Sequence, residues 1–194
     1  MMRMRFNRDA IAHLMQRIPF GSSGAEIGVW HGKTSLSIVH LLDELHLVDP
    51  WSVEPYREGS EHGTFNEYLA RYTEVVGSSD PAEFQAHYDE IYAGVVEEFR
   101  EWACVTIHRM TSDEWFDSFA GKLDWIYLDG DHSYQGCLND LNRSLEVVKP
   151  GGHIFGDDFR VPRHKPGVYR AVTEFSKTHD LERFGRLQYQ FTVN

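Results

Sequence analysis

The chain has 194 residues, 41% of them apolar and 25% charged, which is the make-up of one folded domain rather than a disordered segment. Thirty acids against 19 lysines and arginines give a net charge of -11 with histidines neutral, a balance that argues against an extended nucleic-acid ligand, since that requires a basic face. No run approaches the roughly 20 apolar residues of a membrane span. The basic start "MMRMRFNRDA" has no apolar stretch after it, and Cys104 and Cys137 share no metal-like spacing, so a soluble cytoplasmic protein with reduced thiols is expected.

In chain order, residues 7–18 place Ile11, Leu14, Met15 and Ile18 at helical spacing behind a candidate N-cap, Asn7. "GAEIGVW" (24–30) reads as a strand that stops at glycine, and "KTSLSIVHLLDE" (33–44) as a helix with Leu36, Val39, Leu41 and Leu42 on its apolar face. "ELHLVDPW" (44–51) is a second strand ended by Asp49 and Pro50. Strand, glycine loop, helix and strand make a βαβ unit, the generator of parallel sheets.

Residues 52–82 lose this regularity, although "FNEYLARYTEVV" (65–76) predicts a helix and "GSSDPAEF" a capped turn. An amphipathic helix follows over 83–102 through Phe84, Tyr88, Ile91, Val95 and Phe99. Then come a strand at 103–110, a short helix from 112 to 119, a strand at 123–129 and a helix at 133–148. "KPGG" (149–152) predicts a turn, "HIFGDD" (153–158) a fifth strand and 167–180 a last helix. Residues 181–193 predict two terminal strands that bend near Gly185 and Arg186. There is no repeat and no linker, so 1–194 reads as a single domain.

The alternation predicts an α/β domain with a Rossmann-like, doubly wound, mostly parallel sheet flanked by helices and a helical insertion after the second strand. Ligands of such sheets sit beyond the carboxyl ends of the strands. Asp49, Asp129, Asp157 and Asp158 all fall at strand ends, so the topology would gather them on one rim. Like charges repel, which raises the question of what they hold.

The loop "AEIGVWHGKTS" (25–35) turns through Gly28 and Gly32. Its spacing is one residue short of a P-loop, and it lacks the G-x-G-x-x-G of dinucleotide folds. Asp49, about twenty residues beyond, can accept both hydroxyls of a ribose, or it can be a turn residue before Pro50. Glycine loop and acid together point to a ribose-bearing ligand.

These segments, with "LVDPW", "DWIYLDGDHSYQGCLNDL", "KPGGHIFGDDF" and "GVYRAV", resemble the class I S-adenosylmethionine-dependent methyltransferases. The nearest branch is that of small O-methyltransferases related to the sugar methylases of antibiotic pathways. The resemblance covers about residues 24–180, and "DGDHSY" followed by "GGHIFGDDF" is its specific part. It is similar at a distance to the catechol methyltransferases, which hold Mg²⁺ with a comparable rim of acids.

The resemblance implies that Glu26 and Gly28, with Gly32 in the same loop, meet the methionine part of S-adenosylmethionine, and that Asp49 meets its ribose. Thr111 and Ser112 would line the adenine pocket, and Asp129 would edge the cofactor site. Asp129, Asp157 and Asp158 match metal positions, for Mg²⁺, and Asp131 matches a proposed general base. His132 is the other candidate for that proton. A hard cation on carboxylates favours the alkoxide of a substrate, and in-line methyl transfer needs such an oxygen. The acceptor expected is a small hydroxylated molecule, with neither nucleic acid nor membrane as partner; a homo-oligomer is compatible with the sequence.

Each acid also has a plainer reading. Asp131 can cap the helix that begins near Ser133, and Asp158 can be a solvated loop residue. His31, His153 and His164 are isolated, and Trp30 and Trp51 flank the loop as packing or as pocket walls. The insertion at 52–100 is expected as a lid, with Trp51, Tyr56 and Phe65 near the acceptor. Alternatives are a metal-independent methyltransferase, a non-catalytic cofactor-binding module, or an aspartyl phosphatase starting at Asp129-Gly130-Asp131. The last needs more chain between its acid sites than one helix supplies.

Overall fold

The computed structural model describes residues 8–53, 70, 73–159 and 166–194. In chain order these form α1 (Arg8–Met15), β1 (Ser22–Ile27), α2 (Lys33–Ile38), β2 (Leu42–Val48), α3 (Pro81–Phe99), β3 (Val105–His108) and α4 (Ser112–Ser118). There follow β4 (Leu123–Leu128), α5 (Tyr134–Val147), β5 (Val148–Gly156), α6 (Pro166–Phe175), β6 (Leu181–Phe184) and β7 (Gln188–Thr192). The sheet order is β3-β2-β1-β4-β5-β7-β6. Strands β1 to β5 pair in parallel, and β7 runs antiparallel to both β5 and β6. The chain winds outward from β1 to β3, returns to β4 and winds the other way. That reversal between β1 and β4 is the switch point of the predicted doubly wound fold.

Successive side chains of β4 show how both faces of the sheet are covered. Ile126 and Leu128 belong to one core, with Trp115 and Phe116 of α4, Leu141 of α5 and Val172 of α6. Trp125 and Tyr127 belong to the other, with Leu14 of α1, Ile38 of α2 and Phe84, Tyr88 and Val95 of α3. Burial on two sides favours apolar residues on both faces, which is why "LDWIYL" lacks a polar/apolar alternation; its one polar residue, half-buried Asp124, accepts the Ser23 N–H and pairs with Lys149.

Three local outcomes differ from the sequence expectations. The helix expected over 33–44 stops at Ile38, passes through a 3₁₀ turn at Val39–Leu41 and enters β2 at Leu42. Pairing with Ser22 and burial of Leu42 draw that residue into the sheet. The turn expected at 149–152 is instead absorbed within β5 as an irregularity in its pairing with β4, between Leu123 and Trp125, with Gly151 at φ 82°. Finally, α3 buries Phe84, Tyr88, Ile91, Val95 and Phe99, so residues 81–99 form the crossover between β2 and β3, packed on the sheet. The remainder of the expected lid falls largely at 54–69, 71 and 72, outside the described residues.

On β2 and β3, His46 and His108 set their rings side by side, with Nδ1 3.0 Å from Nε2. Trp115 and Phe119 pack against them, and Glu44 Oε1 lies 3.3 Å from His46 Nε2. Burial lowers both pKa values below 6.5; Glu44 opposes the shift at His46, and His46 adds to it at His108. The unfolded chain therefore takes up protons that the folded chain refuses. Their contribution to stability is complete above the unfolded value of 6.5 and is lost as pH falls below it. The urea midpoint should drop as pH falls below 6.5, and His46→Gln should flatten that part of the curve. An equal slope in the variant would contradict this account.

Candidate active site at the carboxyl edge of the sheet

Where β1 and β4 leave the sheet, their backbones touch. The Asp129 N–H donates to the Ile27 carbonyl at 2.8 Å, and the Gly28 N–H donates to the Val48 carbonyl of β2 at 2.9 Å. Gly28 has φ 87°, and a Cβ there would stand 2.2 Å from the Asp129 carbonyl oxygen. Glycine is thus required by conformation and by space. The turn continues through Trp30, at φ 52°, to Gly32, which starts α2 from the left-handed region. A Cβ on Gly32 would lie 2.9 Å from the Phe99 ring, so close packing of α3 accounts for this second glycine.

Around that turn stand two buried acids. Glu26 is 2% exposed and accepts a hydrogen bond from the Ser35 hydroxyl. Burial pushes its pKa up to about 8, Ser35 opposes the shift, and the charges of Asp129 and Asp49 add to it. Glu26 therefore holds a proton at neutral pH. Asp49, just past β2, accepts the Trp30 N–H at 2.9 Å on Oδ2 and the Trp51 N–H at 2.7 Å on Oδ1. Burial raises its pKa, against the pull of the backbone N–H groups of Trp30, Trp51 and Val29. A carboxylate offers roughly four acceptor positions, so with three N–H groups in place a hydroxyl can still be accepted there.

Trp51 has a different place from the one expected beside the acceptor. It is 0% exposed, and its indole N–H donates to the Trp30 carbonyl at 2.9 Å. Burial makes it core. Tyr56, Phe65 and His164 lie outside the described residues. Thr111 is the N-cap of α4: its hydroxyl accepts the Glu114 N–H at 3.3 Å and donates to the Glu114 carboxylate at 2.8 Å. Ser112 follows as the first residue of that helix.

At the exits of β4 and β5 the acids separate into two groups. His132 Nε2 lies 3.3 Å from Asp129 Oδ1 and 3.3 Å from Asp158 Oδ2. One ligand atom from each of these three residues falls within 4.8 Å of the others. Asp157 turns inward: its Oδ1 accepts the Asp158 N–H at 2.7 Å, and Oδ2 is 3.4 Å from the Tyr127 hydroxyl. Burial, with Asp129 and Asp158 adding, pushes Asp157 up to about 6. Asp131 accepts the Ser133 N–H at 2.8 Å and its hydroxyl at 2.7 Å, while Ser133 caps α5. Asp129, Asp131, His132 and Asp157 line one small cavity with Val168 and Tyr189.

The arrangement offers two things chemically. An arc of Glu26, Gly28 and Asp49 suits an amine and a diol, and a carboxylate–imidazole–carboxylate trio suits a divalent cation or a proton transfer. The donor set fits a cation because three ligands leave positions for water and substrate. Sequence reasoning did not foresee Ser35 and Tyr127, which hold Glu26 and Asp157. Their hydrogen bonds join residues on different elements and have no linear spacing to betray them. His153, by contrast, stays with Gln190 and Thr192 on β7 and takes no part.

Residues 25–159 match the model of a family described as a methyltransferase domain, and the chain belongs to that family, within the class I S-adenosylmethionine-dependent methyltransferases. An uncharacterised protein of Acanthamoeba polyphaga mimivirus is 34% identical over 77 residues. That match covers 40% of this chain and 34% of the viral protein, so about a third of the relative's length is spanned. The N-methyltransferase NodS from Bradyrhizobium japonicum WM9 superposes with a TM-score of 0.61 at 12% identity, covering 100% of this chain and 99% of NodS. A Streptococcus mutans protein solved in complex with SAH gives 0.60 at 10% identity, over 96% and 98%. The O-methyltransferase NovP gives 0.55 at 16% identity, over 95% and 76%.

Gly28→Ala tests the junction. Forcing a side chain into the Asp129 carbonyl at positive φ should lower stability by about 2–3 kcal/mol, read from urea unfolding. Wild-type stability would mean that the two exits are not in contact.

Proposed function

We propose that this chain transfers the methyl group of S-adenosylmethionine to a hydroxyl of a small acceptor, assisted by a divalent cation. The observation that carries the reading is the trio Asp129, His132 and Asp158, with ligand atoms within 4.8 Å of one another, beside the Glu26–Gly28–Asp49 arc at the switch point of a methyltransferase fold. S-adenosylmethionine supplies an electrophilic methyl on sulfur, and a bound cation supplies Lewis acidity toward the acceptor oxygen.

The chain's own groups do the rest. Glu26, already next to the glycine turn, gives up its proton and takes the ammonium of the methionine part. Asp49 accepts from the ribose on the position not used by the N–H groups of Trp30, Trp51 and Val29. Gly28 lets the ligand approach the backbone. Asp129 and Asp158 hold the cation with His132, and Asp157 stands behind them, restrained by Tyr127 and the Asp158 N–H. Asp131, with both oxygens engaged by Ser133, serves the start of α5. The net charge of -11 supports a small acceptor over an extended nucleic acid.

One observation favours a metal-free variant of this chemistry. His132 Nε2 stands 3.3 Å from each of two carboxylates, which would orient the imidazole as a general base toward the acceptor hydroxyl. The non-catalytic and phosphatase readings have no such support.

Calorimetry with S-adenosylhomocysteine should detect a complex, and silence at millimolar ligand would remove the cofactor site. Because Glu26 titrates at about 8 and ionises against the ligand's ammonium, binding at pH 7 should release roughly one proton. Affinity then rises with pH toward 8, and the heat depends on the ionisation enthalpy of the buffer. Glu26→Gln should abolish that dependence; a buffer-independent wild type would refute the role given to Glu26.

The cation is tested separately with Mg²⁺ and Mn²⁺. Asp129→Ala and Asp158→Ala should each weaken binding by about tenfold or more, the loss of one ligand. Undiminished binding would disprove the trio, and methyl transfer that survives chelation would favour His132 as a metal-free base.

A further inference from the structure

Arg109, the first residue past β3, reaches away from its own strand to the turn that follows β2. Its Nη2 donates to the Trp51 carbonyl at 3.0 Å, and the same nitrogen pairs with Asp89 of α3. The guanidinium lies 4.7 Å above the Tyr92 ring, which in turn packs 5.1 Å from the ring of Trp51. Gln85 completes the lattice: it donates to the same Trp51 carbonyl at 3.1 Å and to Asp89 at 3.1 Å, and it accepts the Val53 N–H at 3.3 Å.

Trp51 is a residue that needs holding. It sits at φ 39°, a conformation that a non-glycine residue keeps only where its surroundings impose it. Its N–H is held by Asp49 at 2.7 Å, and its carbonyl by Arg109 and Gln85. The Asp49 N–H also donates to the carbonyl of His108 at 3.2 Å, so the exits of β2 and β3 are tied by backbone as well. With side chains 34% and 53% exposed, the Arg109–Asp89 pair itself contributes little to stability. What the guanidinium supplies is placement: its Nη2 meets a carbonyl and a carboxylate while its plane lies over an aromatic face.

We propose that Arg109 is a positioning residue for the nucleoside end of the cofactor, gripping the Trp51 carbonyl so that the Trp51 N–H aims the Asp49 carboxylate at the ribose. This rests on the reading that Asp49 accepts from the ribose. Released from Arg109, the turn relaxes toward ordinary φ, and Asp49 loses one of the N–H groups that orient it.

Calorimetry with S-adenosylhomocysteine on the full chain provides the test. Arg109→Ala should bind about tenfold more weakly, the scale of one hydrogen bond to a charged group, with a melting temperature close to wild type. Arg109→Lys should lose affinity as well, because geometry and not charge is what it lacks. In an Asp49→Asn background, Arg109→Ala should cost little more, since both changes act through one carboxylate. Wild-type affinity in Arg109→Ala, or an undiminished loss in the Asp49→Asn background, would overturn the assignment while leaving the cofactor site in place. A wild-type chain that binds no S-adenosylhomocysteine would overturn both.

Discussion

At the switch point the Asp129 carbonyl comes so close to Gly28 that a Cβ there would lie 2.2 Å from its oxygen, and that approach of two backbones is what the site is built upon. It places the end of β1 against the end of β4. Glu26, two residues before the contact, and Asp129, one side of it, therefore belong to a single edge although about a hundred positions apart. The βαβ winding determines which strands neighbour each other; the missing side chain determines how near their exits come. Any larger residue would push the acid-bearing loop of β4 away from the glycine turn.

Crowding acids on one edge costs electrostatic free energy, and each carboxyl meets that cost differently. Glu26 keeps its proton, at a pKa of about 8, because it is buried with no cation near. Asp49 is surrounded by backbone N–H groups from two left-handed tryptophan turns. Asp129 and Asp158 share the ring nitrogen of His132. Asp157 leans on Tyr127 and the next N–H, and is pushed up to about 6. The free protein is thus poised with partial charge compensation that a cationic amine and a metal ion would complete. This is what distinguishes the edge from a set of solvated loop acids, each of which would face water alone.

Much of this was legible in the sequence because it depends on local pattern. Continuous apolar runs ending in Asp49, Asp129 and Asp157 gave strands and their direction, and the alternation with amphipathic helices gave the parallel order. The apolar face of α3 was readable to the residue, since 3.6-residue periodicity is a property of the chain itself. What escaped was set by contacts between distant segments. Leu42 looks helical by spacing, yet pairing with Ser22 makes it strand. By resemblance Asp131 matches a general base and Asp158 a metal position; a serine two positions on draws the first to α5, and His132, one turn past Asp129, brings the second to Asp129. Trp51 reads as packing or as a pocket wall, and its complete burial decides for packing.

The fold leaves the choice of acceptor to the loops. Structures matching over nearly the whole of this chain include the N-methyltransferase NodS and the O-methyltransferase NovP, so this fold is found with more than one receiving atom. A scaffold of that kind holds the nucleoside end constant and varies what stands opposite the methyl group. In this chain the backbone just past β2 is held from both sides at Trp51: N–H by Asp49, carbonyl by Arg109 and Gln85. The described chain after β2 therefore runs to Val53 from a residue whose N–H is fixed by Asp49.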